Sequence, residues 1–229
     1  MIPAFINDSV ISRINSRLSR TDKQSMTIFF FIFALGTVLS WLWTATPVAD
    51  LSNGSNLSES NLYMDWARGN VVVMVRHAER CDRSTNPCLG SADGITVSGS
   101  RSASAVGNGL RRLGLDKAQM IASPLTRTRQ TADFILGRSV QTQSWVGDCA
   151  SSFNDAVSEH KQPAENLVLI THSGCIDQFE RKMGVRAGER SADYTQALFV
   201  KMDGQKAPSI IGSLSAAQWK NIIPGQVNL

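Results

Sequence analysis

Apolar positions in this chain fall into two regimes: an unbroken run near the N-terminus, and short, regularly spaced bursts after residue 70. No charged side chain occurs between Ser25 and Ala49, and residues 26–43 read MTIFFFIFALGTVLSWLW. At about 1.5 Å rise per residue, a helix there would match the hydrocarbon core of a bilayer, and it has no polar face to turn toward water. Residues 26–46 are therefore expected to form a transmembrane anchor or a signal helix. Ala45 and Ala49 are small enough to mark cleavage points, but Trp43 and Pro47, three positions before the possible cuts, fit poorly and favour an uncleaved anchor. Arg13, Arg17, Arg20 and Lys23 outweigh Asp8 and Asp22 in residues 1–25. That segment is expected to stay cytoplasmic, with the rest of the chain exported. Residues 47–64, rich in Ser and Asn, read as a flexible tether, and the folded domain is expected over 65–229.

In the second regime the bursts alternate in period. Residues 71–75 (VVVMV) and 166–171 (NLVLIT) are continuous apolar runs of the kind buried on both faces of a parallel sheet. Thr96 opens a helix in which Val106, Leu110 and Leu113 share a face and Gly114 is the stop. Residues 119–123 form a second short strand, and the following helix carries Pro124 in its first turn. A third strand is expected over 140–145 and a helix over 151–160. After 166–171 comes a helix with Ile176, Phe179 and Met183 on one face, and residues 197–202 supply a last strand. This order predicts one three-layer α/β/α domain with a mostly parallel sheet, in which ligands sit beyond the carboxyl ends of the strands.

Composition removes several classes of function. With 42% apolar and 18% charged residues the 229-residue chain can bury a core, which excludes a disordered protein. Only three histidines occur, His77, His160 and His172, so no metal site built on several imidazoles is expected. Four cysteines in spacings that do not repeat as C-x-x-C give no zinc knuckle. The net charge of +4 is split between the N-terminal segment and the remainder with no basic stripe, so no nucleic-acid partner is expected.

What remains is concentrated at three strand ends. The first is followed by Arg76-His77-Ala78-Glu79-Arg80, the second by SPLTRTRQTA from Ser123 to Ala132, and the fourth by Thr171-His172-Ser173-Gly174. Guanidinium forks bind phosphate oxygens in pairs and a neutral imidazole can attack phosphorus, so this set suits a phosphoryl group. A single histidine at a strand end is ordinarily structural; three such motifs in order at strand ends outweigh that reading. His160, on a polar helix end, is expected at the surface, and Glu79 is assigned to structure rather than chemistry.

These motifs resemble those of the histidine phosphatase superfamily, the phosphoglycerate mutase-like proteins, over residues 70–203. RHAER resembles the family's Arg-His-Gly signature with Ala78 replacing the usual Gly, SPLTRTRQTA is close to its SPLxRAxQTA pattern, and THSG resembles its second-histidine motif. The resemblance implies that His77 is the nucleophile, that Arg76, Arg80, Arg127 and His172 hold the phosphoryl oxygens, and that no metal or organic cofactor is needed. It implies a proton donor as well. Relatives of the acid-phosphatase type place an aspartate directly after the second histidine, where this chain has Ser173; other branches use an acidic residue in the loop after the third strand, and the resemblance there points to Asp148, with Asp155 further on as the alternative.

HAERCDRSTNPCL and ITVSG further resemble the lipopolysaccharide core heptose(II)-phosphate phosphatases of Gram-negative envelopes. The resemblance implies a phosphorylated sugar or lipopolysaccharide as substrate, with residues 82–86 beside the pocket, and fits a periplasmic, membrane-anchored domain. Cysteines in that compartment should oxidise, and the expected pairs are Cys81 with Cys88 and Cys149 with Cys175. A broad acid phosphatase, a protein phosphohistidine phosphatase and a non-catalytic phosphosugar-binding module remain as alternatives.

Overall fold

The computed structural model describes residues 20–43, 46–53, 55–115, 118–190 and 192–221. The chain divides into two units, the second beginning at Thr46. In the first, helix α1 (Arg20–Trp43) exposes Ile28, Phe29, Phe30, Phe31, Ile32, Phe33 and Leu35. Among the described residues no helix is long and apolar enough to cross a membrane. The span expected over 26–46 runs beyond Thr37 into positions whose side chains lie outside the described residues.

In the second unit, two short helices, α2 (Asn56–Glu59) and α3 (Leu62–Ala67), precede β1 (Val71–Arg76). Helix α4 (Val97–Leu113), β2 (Ala118–Ala122), α5 (Thr126–Leu136), β3 (Gln141–Thr142) and α6 (Phe153–His160) follow. The unit is completed by β4 (Asn166–Thr171), α7 (Ser173–Lys182), β5 (Ala197–Lys201) and β6 (Ser209–Leu214). The strands form one sheet in the order β3-β2-β4-β1-β5-β6. Strands β3, β2, β4 and β1 pair in parallel, whereas β5 is antiparallel to β1 and β6 to β5, so the sheet is mixed.

Alternation along β1 builds the three layers. Val71, Val73 and Val75 face a core shared with Leu62, Trp66, Val106, Leu110, Ile135 and Trp219, while Val72 and Met74 face Phe153, Val157, Ile176 and Phe179. Helices α3, α4 and α5 thus cover one face, and α6 and α7 the other. The continuous burial of β1 and β4 is the physical meaning of their unbroken apolar runs.

Several expectations shift. The third strand shrinks to Gln141–Thr142, because the chain turns at once into a 3-10 segment (Ser144–Gly147) that sends Val146 into the core. Helix α5 begins at Thr126, so Pro124 precedes it rather than lying in its first turn. Strand β6, with Gly212 and Ser213 in a small-residue pattern, had no hydrophobic period by which to be recognised. The expected tether over 47–64 is part of the folded unit. Leu51 donates its N–H to Ser213 O, and Ser213 returns a bond to Ala49 O at 2.8 Å, so this segment lies along the edge of β6. Leu51 and Leu62 enter the core. The polar composition concealed this because backbone groups and two leucines do the tying.

Leu51→Ala is accordingly expected to cost about 2–4 kcal/mol, read as a lower urea midpoint at unchanged slope. A tether residue would leave the midpoint in place.

Candidate active site

Strand register creates the site. Arg76 pairs with Thr171 across β1 and β4, so the residues that follow, His77 and His172, leave the sheet side by side. Their ring centroids are 5.4 Å apart in an edge arrangement. Ala122 pairs with Ile170 across β2 and β4, which brings Ser123 to the same place. Ser123 Oγ lies 3.0 Å from His172 Nε2. Helices α5 and α7 both start just beyond these strand ends, so their amino termini add partial positive charge there.

His77 is buried, with Nδ1 2.8 Å from Ala78 O. A carbonyl oxygen can only accept, so Nδ1 carries the proton and Nε2 keeps its lone pair. Burial first, then the charges of His172, Arg127 and Arg76, depress the His77 pKa to about 3 against the opposing Ala78 bond. Burial and the charges of Arg127, Arg80 and Arg76 lower His172 to about 4. Both rings are thus neutral near pH 7, the form required of a nucleophile and of a hydrogen-bonding partner to an anion.

Arg76 and Arg127 are partly buried, and desolvation lowers the pKa of each. Their Nε atoms are buried and find no hydrogen-bond partner among the described residues. Arg76 Nη1 donates to Ala192 O at 2.6 Å. Arg80 lies within electrostatic reach of His172 and Arg127 but is engaged by Asp82, which accepts from its Nε at 2.7 Å and from Nη2. That bond holds the Arg80 pKa above its usual value. The structure therefore gathers Arg76, His77, Arg127 and His172, with Arg80 beside them and already paired.

Asp148 is not brought into this cluster. It is exposed and accepts a bond from Ala150 N–H at 3.3 Å. Its neighbour Gly147 does abut the site: a Cβ there would stand 2.7 Å from Ser123 Oγ and 3.6 Å from His172 Nε2. The Cys149–Cys175 disulfide joins this loop to the first turn of α7. The Cys81–Cys88 disulfide closes the loop beside the nucleophile strand. Both expected pairings are present.

Glu79 fastens that loop. Its carboxylate accepts bonds from Thr96 Oγ1 (2.6 Å), Asn86 Nδ2 (2.9 Å) and Ser84 Oγ (3.0 Å), with the Thr96 and Asn86 bonds doing most to lower its pKa. Thr96 also caps α4 by accepting Gly99 N–H. Ala78 fits where the motif usually has Gly because Gly99 offers no side chain: a Cβ on Gly99 would lie 3.2 Å from the Ala78 methyl and 3.0 Å from Glu79 N. His160, expected at the surface, instead stacks on Trp145 at 4.3 Å and is half-buried.

Three further residues had no assigned role in the sequence reading. Ser123 and Thr131 both lie within the quoted SPLTRTRQTA motif, which already pointed to them; Thr131 Oγ1 accepts Ala78 N–H at 2.9 Å and donates to Arg127 O at 2.7 Å. Tyr194, against Arg76 and His77, lies far from any motif and had no signal. Among the described residues no group of His, Cys, Asp or Glu is gathered as metal ligands.

A neutral imidazole framed by arginines at the carboxyl ends of an α/β sheet defines a phosphoryl-handling enzyme. The histidine phosphatase superfamily (branch 1) profile matches residues 72–147, the stretch carrying the first two motifs. A lipopolysaccharide core heptose(II)-phosphate phosphatase of Escherichia coli is 30% identical over 196 residues, spanning 82% of this chain and 92% of its own. Its namesake from Salmonella newport is 35% identical over 140 residues, 59% of this chain and 68% of its own. The crystal structure of SixA from Agrobacterium tumefaciens shares the fold, with a TM-score of 0.50 at 14% identity, covering 64% of this chain and 99% of that one. The chain belongs to the histidine phosphatase superfamily and is a phosphoric monoester hydrolase.

The depressed histidine pKa values give a signed expectation. A folded-state pKa of about 3 for His77, against the usual 6.5, means that the unfolded chain binds more protons between those values. Stability from this burial is complete above pH 6.5 and is lost as pH falls toward 3. In side-chain NMR the His77 and His172 rings should keep neutral-form shifts from pH 7 down to pH 5; titration of either near 6.5 would contradict the burial argument.

Proposed function

We propose that this chain hydrolyses its ester through a phosphohistidine on His77, and that its substrate is a phosphorylated heptose of the lipopolysaccharide core, met in the periplasm by a domain anchored through the N-terminal helix. The observation that carries the mechanism is the His77 ring, neutral and with a free Nε2 lone pair, set among Arg76, Arg127 and His172. In the first step Nε2 bonds to phosphorus as the phosphorus–oxygen bond to the leaving alcohol breaks. Charge on the transferring group is met by the arginine forks and by the His172 imidazole. The departing oxygen takes a proton from the carboxyl group we assign to Asp148, which lies outside the cluster at the edge of the site, next to the Gly147 that abuts Ser123 and His172. Water then attacks phosphorus, returns a proton to Asp148 and releases inorganic phosphate from Nε2, which restores the imidazole.

The substrate reading is supported by relatives named as heptose(II)-phosphate phosphatases along most of their length. The location is supported by two disulfides, which persist in oxidising compartments, and by the exposed phenylalanine-rich run of α1. The positive-inside rule applied to residues 1–25 agrees with that orientation.

Turnover of p-nitrophenyl phosphate should vanish in His77→Ala, whereas unchanged turnover would remove the nucleophile. In the same assay Asp148→Asn should slow an alkyl phosphate by about 100-fold or more while sparing p-nitrophenyl phosphate, whose leaving group needs no proton; equal losses would reassign the acid. Mass spectrometry of the lipopolysaccharide core from cells with and without the protein should differ by one phosphate, and identical cores would end the heptose reading.

A further inference from the structure

The turn at residues 193–196 is built against Arg76. Asp193 O accepts Gln196 N–H at 3.0 Å, and Asp193 N–H donates to Gln196 Oε1 at 2.7 Å. Thr195, within it, takes φ 61 and is buried, a left-handed conformation that a β-branched residue keeps only where its surroundings impose it. Arg76 supplies that constraint: Thr195 N–H donates to Arg76 O, and Arg76 N–H donates to Gln196 O, both at 3.1 Å. Two residues thus face one, the arrangement of a bulge, which bends a strand and re-aims side chains next to a site. At the corner of this turn stands Tyr194. Its ring centroid lies 4.0 Å from Arg76 Cζ and 5.8 Å from the His77 ring centroid.

We propose that Tyr194 is a positioning residue for phosphate recognition, its ring face fixing the plane of the Arg76 guanidinium so that the edge not taken by Ala192 stays open to phosphoryl oxygens. The proposal rests on the phosphatase reading and extends it to a residue outside the three motifs. Burial lowers the Arg76 pKa, the charges of Tyr194 and Asp193 oppose that, and the like charges of Arg83 and Arg80 add to it; no carboxylate hydrogen-bonds the guanidinium among the described residues. A carboxylate partner would steady the guanidinium but would compete with phosphate for its N–H groups. An aromatic face attracts the cation without occupying those donors, and so is suited to an arginine that must remain available. Ala192 O takes one nitrogen, the ring takes the face, and the buried Nε–H has no partner among the described residues.

The test uses the full-length chain in detergent, with inorganic phosphate binding measured by calorimetry and turnover of p-nitrophenyl phosphate measured in parallel. Tyr194→Phe, which keeps the face and removes the hydroxyl, should hold phosphate affinity within about threefold, and Tyr194→Leu should weaken it about tenfold. Combining Tyr194→Leu with Arg76→Lys should lose less than the product of the single effects, since both act on one group. Tyr194→Met replaces the leucine variant should that one fail to fold. Wild-type phosphate affinity in Tyr194→Leu, equal losses in the Phe and Leu variants, or strict additivity with Arg76→Lys would overturn the proposal while wild-type turnover leaves the phosphatase reading intact. A wild-type chain that neither turns over the ester nor binds phosphate would defeat both.

Discussion

The in-register parallel pairing of β1 with β4 is the constraint from which the chemistry follows. Because Arg76 lies opposite Thr171, the next residue on each strand is a histidine, and the two imidazoles leave the sheet as neighbours. A one-residue slip would send one of them to the other face of the sheet, where α6 and α7 pack. The register is fixed by burial on both faces: the alternate valines of β1 divide between two cores that each tolerate only one phase.

Placing two imidazoles and several guanidinium groups in one desolvated corner carries an electrostatic cost, and the site shows how that cost is divided. The imidazoles give up their protons, as burial and the arginine charges require. Arg80 is paired with Asp82 and Arg76 rests on a ring face, so neither cation is left wholly to repel its neighbours. The surrounding loops cannot relax this arrangement easily. Glu79 binds three side chains from the loop and the α4 cap, and two disulfides close the segments on either side. A phosphoryl group entering such a corner replaces repulsion by charge-assisted hydrogen bonds, which makes the corner a pre-organised anion site.

Much of this was legible in the chain because burial leaves a periodic trace. The runs 71–75 and 166–171 announced buried strands, Thr96 and Gly114 bracketed a helix, and the residues after the strands marked the pocket. The features that escaped were those held by backbone or by isolated contacts. Residues 47–64 looked like a tether because hydrogen bonds from Leu51 and Ser213, rather than a hydrophobic period, tie them to β6. Strand β6 itself, SIIGSL, carries Ile210, Ile211 and Leu214 without a period of two. Tyr194 reaches the site through a left-handed Thr195, a backbone reversal with no Gly to signal it. Asp148 lies exposed on its loop and outside the cluster; no hydrophobic period or motif spacing specifies where a loop carboxylate points.

The central claim is that a buried, uncharged His77 attacks phosphorus. Rapid acid-free quenching of the full-length chain during turnover of a phosphate-labelled ester, followed by peptide mapping, tests it directly. The expected result is a phosphoramidate on His77, stable in base and labile in acid, at a stoichiometry approaching one per active chain when dephosphorylation is slowed. Label on a serine or aspartate, or full turnover with no label on His77, would contradict it.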